Sequence, residues 1–131
     1  YTGGFEGYGQ VVDPTTGNVA SSEEFFDGTI SLSADFAANN ITGDLNGNFD
    51  YSNTDFMVSF AAPIAGNGYA GSLGSMTCTG ATCISNSQIA GAFFGTDAAE
   101  TSGLLAIDVQ VDPNSGSIYQ FISGAGFTAI Q

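Results

Sequence analysis

No lysine, arginine or histidine occurs anywhere in the sequence, and 13 aspartates and glutamates stand against that absence for a formal net charge of −13. Phosphate backbones are held chiefly by Lys and Arg, whose binding releases counterions, so nucleic acid is excluded as a partner and anionic membrane surfaces repel the chain. The missing imidazole removes the commonest general base and metal ligand. The missing Lys and Arg remove Schiff-base chemistry and bidentate anion clamps. Serine and threonine therefore lack the partner that would activate them, and the cysteines lack an electropositive neighbour. Tryptophan is absent and prolines number three. No apolar run approaches the ~20 residues a membrane helix needs, so no membrane insertion is expected. Together these absences predict a protein that is not an enzyme.

What is present predicts a folded sheet protein. Apolar residues make up 43% of the chain, too many for an acidic disordered tail, and 131 residues suit a single domain over 1–131 with one core. The chain starts inside a strand-like run at Tyr1, as a processed or trimmed chain does. Apolar residues recur with a period of two. In GTISLSADF, Ile30, Leu32, Ala34 and Phe36 alternate with polar residues, and Ile41, Leu45, Phe49 and Tyr51 share one parity in the next run. Ala38-Asn39-Asn40 between them forms a hairpin turn, since Asn tolerates left-handed backbone. Further strands are expected at Phe5–Val12, Phe56–Phe60, Tyr69–Leu73, Ser75–Thr79, Ile89–Phe94, Leu104–Val111 and Ile118–Thr128, with Glu24–Phe26 extending the second. The resulting fold class is all-β: a single eight-stranded antiparallel up-and-down β-barrel, closed to remove exposed edges, with a short helical turn near 97–101. Glycines 43, 47, 71 and 91 fall within strands, where they permit bending or close approach.

Several residues are candidates for chemistry. Cys78 and Cys83 in CTGATC either close a disulfide or remain two thiols. The even count favours the bridge, which implies an oxidising compartment, and a zinc site would need soft or imidazole ligands that are missing. Calcium is the one cofactor the composition allows: Asp13, Asp112 and Asn114 offer oxygen ligands in the Asp-Pro turns DPTTGN and DPNSGS, without EF-hand spacing. The local carboxylate pairs Glu23-Glu24, Asp108 with Asp112, and Asp97 with Glu100 resemble solvated turn or outer-face residues more than a glycosidase pair. GGFEGYG is not followed by a βαβ unit and so is a strand, not a dinucleotide loop. The sequon Asn40-Ile41-Thr42 falls on a hairpin turn.

Three segments together carry a resemblance: YTGGFEGY, GTISLSADFAANNITGDLNG and GAFFGTDAAETSGLLAI. The combination resembles the C-terminal β-barrel domain of the transferrin-binding protein B family over most of the chain. The resemblance implies an eight-stranded antiparallel barrel, exported and then displayed on the surface of a Gram-negative bacterium or released. Relatives bind transferrin, haem, haemoglobin or complement regulators through variable loops, so no ligand-contacting residue carries over. Neither cysteine lies near Tyr1, where the family has a lipidated cysteine, and the lysines common in pathogen relatives are missing. The late motif, Gly91, Phe93, Phe94, Gly95, Glu100 and Gly103, is expected to be a structural corner. A strand ends with Phe93 or Phe94 inward, Gly95 turns, Thr96 or Asp97 caps Ala98–Glu100, Glu100 bonds nearby backbone, and Gly103 releases the next strand.

Two functions follow. One is an extracellular binding module that engages a protein or small-molecule ligand through loops 53–55, 62–68 and 78–83. The other is a structural subunit that self-associates through its terminal strands into a fibre or surface layer.

Overall fold

A computed structural model describes residues 1–114 and 116–131, the side chain of Glu23 also lying outside the described set. Among the described residues, the chain forms β1 (Thr2–Val12), β2 (Val19–Asp35), β3 (Asn40–Phe49), β4 (Thr54–Ala65), β5 (Gly68–Cys78), β6 (Thr82–Ser85), β7 (Gln88–Phe94), β8 (Glu100–Asp112) and β9 (Tyr119–Ile130). A 3-10 turn at Thr96–Ala98 separates β7 from β8. All pairings are antiparallel, and β9 closes the sheet by pairing with both β1 and β8. β6 and β7 both lie against β8, at Ser85↔Val109 and Gln88↔Ala106, so they are two pieces of one interrupted strand. The result is a closed eight-stranded antiparallel up-and-down barrel. At the interruption, Ser87 Oγ accepts the Asp108 N–H at 3.0 Å and Asn86 N–H donates to Asp108 O at 2.8 Å, so a hydroxyl stands in for a missing backbone partner.

The period of two is visible along β4, whose residues alternate buried and exposed from Thr54 to Ala65. Six of the inward aromatic rings fill the interior by a repeated device, each facing a glycine on the neighbouring strand. Phe5 pairs with Gly28, Phe26 with Gly7, Phe56 with Gly47, Phe60 with Gly43, Tyr69 with Gly91 and Phe127 with Gly103. Each ring lies over its glycine closely enough that an added Cβ would come within 2.4–2.8 Å of it. A narrow barrel has no room for large side chains on every inward position, and alternating large with absent side chains resolves the crowding. One end is filled by Phe26, Phe49 and Phe121, all fully buried, with Phe49 4.9 Å from Phe121. Toward the other end Phe93 packs against Tyr1, Phe36 and Tyr69.

The structure corrects several boundaries. Phe36 and Tyr51, expected on the buried parity, lie in turns and are about half exposed (47% and 51%). β2 begins at Val19, well before Glu24. Tyr69–Leu73 and Ser75–Thr79 are one strand, β5, with a bulge where Val58 pairs with Met76 but Phe60 with Leu73. The expected loop at 62–68 is mostly strand: β4 runs to Ala65, β5 starts at Gly68, and Ala62 and Ile64 are buried. The short helical turn expected near 97–101 is the 3-10 turn at Thr96–Ala98, with no side-chain cap from Thr96 or Asp97; Asp97 itself takes left-handed backbone, φ 56°. Glu100 therefore opens β8 and is exposed. Gly103 does not release a strand but sits inside one, with Phe127 opposite.

Candidate functional site

Turns 13–18, 50–53 and 79–81 and the described residues 113–114 and 116–118 gather at one rim of the barrel, with turns 36–39, 66–67 and 95–99 at the other. The first rim is built around a buried carboxylate. Glu24 is only 5% exposed, and its Oε1 accepts the Tyr51 N–H. Burial raises its pKa, the Tyr51 N–H opposes that rise, and the nearby Asp50 adds to it. The β3–β4 turn is thus pinned from below: Asp50 N–H donates to Phe25 O at 3.2 Å and Asn53 N–H to Asp50 O at 3.2 Å. Beside it, Tyr119 OH donates to Ser52 Oγ, which donates onward to Thr54 Oγ1 at 2.7 Å. Burial also raises the Tyr119 phenol. The Tyr51 ring stands edge-on to Tyr119 at 5.3 Å and remains half exposed. Val19 and Ile118, on either side of the end of β1, are exposed on the same rim (53% and 44%).

Chemically this is a rigid, mostly satisfied polar turn presenting one aromatic ring and two aliphatic side chains beside Asp13, Asp50 and Asp112. It suits recognition: with no cation nearby, its buried groups are held by neutral donors. This cluster left only a slight signal in the sequence, a glutamate at the inward parity of Phe26 at the start of the expected extension of the second strand.

Two of the expected calcium ligands, Asp13 and Asp112, accept hydrogen bonds within their own turns. Asp13 Oδ1 accepts Thr15 N–H at 2.7 Å and Thr16 N–H at 3.3 Å, bonds that lower its pKa. Asp112 Oδ1 accepts Asn114 N–H at 2.8 Å, and Asn114 takes left-handed backbone, φ 60°. Among the described residues, no group of three or more acidic or cysteine side chains is arranged to hold a metal. Of the carboxylate pairs, Asp108 accepts Gln120 Nε2 at 2.7 Å, Asp97 and Glu100 are exposed, and the Glu23 side chain lies outside the described residues.

Cys78 and Cys83 form the disulfide, Cα atoms 5.9 Å apart. Its place in the sheet explains its use. β5 pairs with β7 from Gly68 to Ser72, whereas β6 pairs in a ladder only with β8, so the bridge joins the two strands where the ladder between them stops. In the late motif Phe93 is the inward ring and Phe94 the exposed one, and Gly95 turns at φ 79°. Behind this corner, Thr101 Oγ1 donates to Ala92 O at 2.9 Å and shares a 3.0 Å bond with Tyr69 OH. The terminal strands offer no open edge, because β1 and β9 pair with each other from Thr2↔Ile130 to Val12↔Gln120 and each has its other neighbour in place.

A family model described as the C-lobe and N-lobe beta barrels of Tf-binding protein B matches residues 1–125. The chain belongs to this family. No curated protein sequence matches it. Among solved structures it is similar to a crystal structure of the vaccine antigen transferrin-binding protein B from Haemophilus parasuis Hp5, at 21% identity and a TM-score of 0.36. That match covers 100% of this chain and 27% of the antigen, so the barrel spans about a quarter of that relative's length. A de novo designed fluorescence-activating beta barrel is similar at 9% identity and a TM-score of 0.45, over 99% of this chain and 91% of the design. Among the described residues, no helix is long and apolar enough to cross a membrane. The rim around Glu24 and Tyr51 is the candidate site.

Proposed function

We propose that this transferrin-binding-protein-B-like barrel is a non-enzymatic recognition module, displayed on or released from a Gram-negative cell surface, which engages a protein ligand through the rim of Tyr51, Ile118 and Val19. The observation that carries this reading is the Glu24-anchored turn: a buried carboxylate holds the backbone beneath a half-exposed aromatic ring, and a preorganised ring loses little freedom on binding. Transferrin is the first ligand to test, since the family's barrels are those of a transferrin-binding protein. A net charge of −13 favours partners with a basic surface and makes encounter salt-sensitive. Donation of a terminal strand to a neighbour is the weaker route to assembly, because both edges of β1 and β9 are already paired.

The test is immobilised wild-type barrel beside Tyr51→Ala and, as a remote control, Met57→Ala on the outer wall. Transferrin, or a component captured from the native medium, should be retained by wild type and the control and lost from Tyr51→Ala. Equal retention by all three, or loss from the control alone, defeats the rim assignment.

A further inference from the structure

Two Asn-Gly steps occur in the chain, Asn46-Gly47 and Asn67-Gly68. Asparagine is chemically labile, and a following glycine, with no side chain, leaves its own backbone nitrogen least hindered toward the amide. The barrel puts the two steps in opposite circumstances. Asn46 and Gly47 lie inside β3 and are paired on both sides, Asn46 with Thr29 and Met57, Gly47 with Gly28 and Phe56. An added Cβ on Gly47 would come within 2.6 Å of Asp27 O and of the Phe56 ring, so this backbone is packed in mid-wall.

Asn67-Gly68 lies instead at the end of the β4–β5 hairpin. β4 stops at Ala65 and β5 starts at Gly68, so Gly66 and Asn67 are the whole loop, closed by the pair Ala65↔Gly68. Gly66 takes φ 63° at the first loop position, where a tight hairpin turn requires glycine. Asn67 is exposed. Freeing the Gly68 nitrogen needs only the last pairs of a hairpin to open, whereas freeing that of Gly47 needs three strands to part in the middle of the wall.

We infer that Asn67 is a site of spontaneous covalent modification, deamidating through a succinimide, while the wall protects Asn46. The Gly68 nitrogen loses its proton to water and attacks Asn67 Cγ; a N–Cγ bond forms and Nδ2 leaves as ammonia. Water then opens the ring. Breaking the N–Cγ bond yields aspartate, and breaking the bond from that nitrogen to the Asn67 main-chain carbonyl carbon yields isoaspartate. The sum is amide plus water giving carboxylate plus ammonia, with no oxidant or reductant. Either product adds a carboxylate to a chain of net charge −13. They differ in the backbone. Asn67 O accepts the Phe93 N–H at 2.7 Å, tying the loop to the end of β7. Aspartate keeps that carbonyl in the main chain, whereas isoaspartate reroutes the chain through Cγ and turns the carbonyl into a free carboxylate. Isoaspartate therefore loosens the rim opposite Tyr51.

The test ages the barrel in neutral buffer, folded and in urea, beside Gly68→Ala, followed by pepsin digestion in acid and mass spectrometry of the Asn46 and Asn67 peptides. In folded wild type Asn67 should convert and Asn46 should convert roughly tenfold or more slowly, a ratio that needs opening free energies to differ by only about 1.4 kcal/mol. In urea the two rates should converge. Gly68→Ala should slow conversion at Asn67, because the methyl group hinders ring closure. It should also fold, since the added Cβ meets nothing nearer than Gly91 O at 3.4 Å and Gly68 lacks a positive φ. The ratio within wild type decides the matter even if that variant misfolds. In the isoaspartate fraction hydrogen exchange at the Phe93 amide should rise. Folded barrel in which Asn46 converts as fast as Asn67, or in which Asn67 stays intact while both sites convert in urea, overturns the inference; unchanged exchange at Phe93 overturns the loosened rim.

Discussion

A single row of paired residues runs round the outside of the barrel and divides it in two. From β5 to β9 it reads Ala70, Ala90, Leu104 and Gly126; from β1 to β4 it continues as Glu6, Asp27, Asn48 and Asp55. Along this row the first half is uncharged and the second acidic, yet behind both the same aromatic-on-glycine packing fills the interior. The fold is thus set from inside, and the outside is free to specialise. On the acidic half the cost of like charges is visible, for Glu6 and Asp27 are directly opposite each other. It is moderated by neutral donors: Asn48 Nδ2 donates to Asp55 Oδ1 at 2.8 Å, and Ser59 Oγ donates to Asp44 Oδ1 at 2.6 Å. Spacing acids with amides and hydroxyls keeps the surface hydrated and anionic without any cation.

If the two halves share one interior logic, breaking it should cost the same on either side. Gly28→Ala, behind the acidic half, would place a Cβ 2.2 Å from Asn46 O and 2.5 Å from the Phe5 ring; Gly103→Ala, behind the uncharged half, would place one 2.1 Å from Ala90 O. Each should lose about 3 kcal/mol in chemical denaturation, the upper part of the range for overpacked cores. A large loss at one and none at the other would mean that the halves are not packed alike. The next effect is confined to the uncharged half. Replacing Cys78 and Cys83 together by serine removes a short cross-link and should lower stability by about 2 kcal/mol, read as a shifted denaturation midpoint. Hydrogen exchange should then rise first in β6 and the end of β5, where no ladder supports the bridge; uniform acceleration would argue against a local seam.

Glu24 gives the acidic half a pH signature of its own. Its folded pKa is raised by burial, so the folded state prefers the protonated form. The corresponding stability is full below the ordinary glutamate value of about 4.3 and is lost as pH rises through the raised folded value. Glu24→Gln keeps a carbonyl acceptor for Tyr51 N–H and cannot ionise, so above that window it should be at least as stable as wild type and its pH dependence flatter. Asp13 has the opposite sign, its stabilising bonds being present above the ordinary aspartate range and lost as pH falls. A Glu24→Gln curve parallel to wild type between about pH 4 and 7 would show that another carboxylate governs the acid response.

The alternation in β2, β3 and β4, the hairpin at Asn39 and the pairing of Cys78 with Cys83 were legible because period, turn chemistry and cysteine count are local signals. The glycines at 43, 47 and 91 were legible as places of close approach, but not as partners of Phe60, Phe56 and Tyr69, because register is a relation between strands and leaves no mark in one strand alone. The split of one barrel strand at Asn86 and Ser87 was hidden for the same reason: Ser87 matters through Asp108, 21 residues away. Glu24 was visible as an acid near another acid, at the start of a strand extension. Its role depends on Tyr51 arriving from the next hairpin, and an acid counted as surface became the anchor of the rim.

The smallest expected effect separates the outer glycines from the inner ones most directly. Gly126→Ala meets nothing within 4 Å, and ordinary strand backbone accommodates alanine there. The change should therefore stabilise the monomer by about 0.5 kcal/mol, by reducing the freedom of the unfolded chain. Glu100→Gln, on an exposed strand end, should stay within roughly 0.5 kcal/mol of wild type and so calibrates the scale. If Gly126→Ala instead costs as much as Gly28→Ala, some contact within the barrel already requires that bare position, and the outer wall obeys the interior's rule. If it is neutral or stabilising, folding alone does not account for the glycine, and the outer wall is free of the interior's rule.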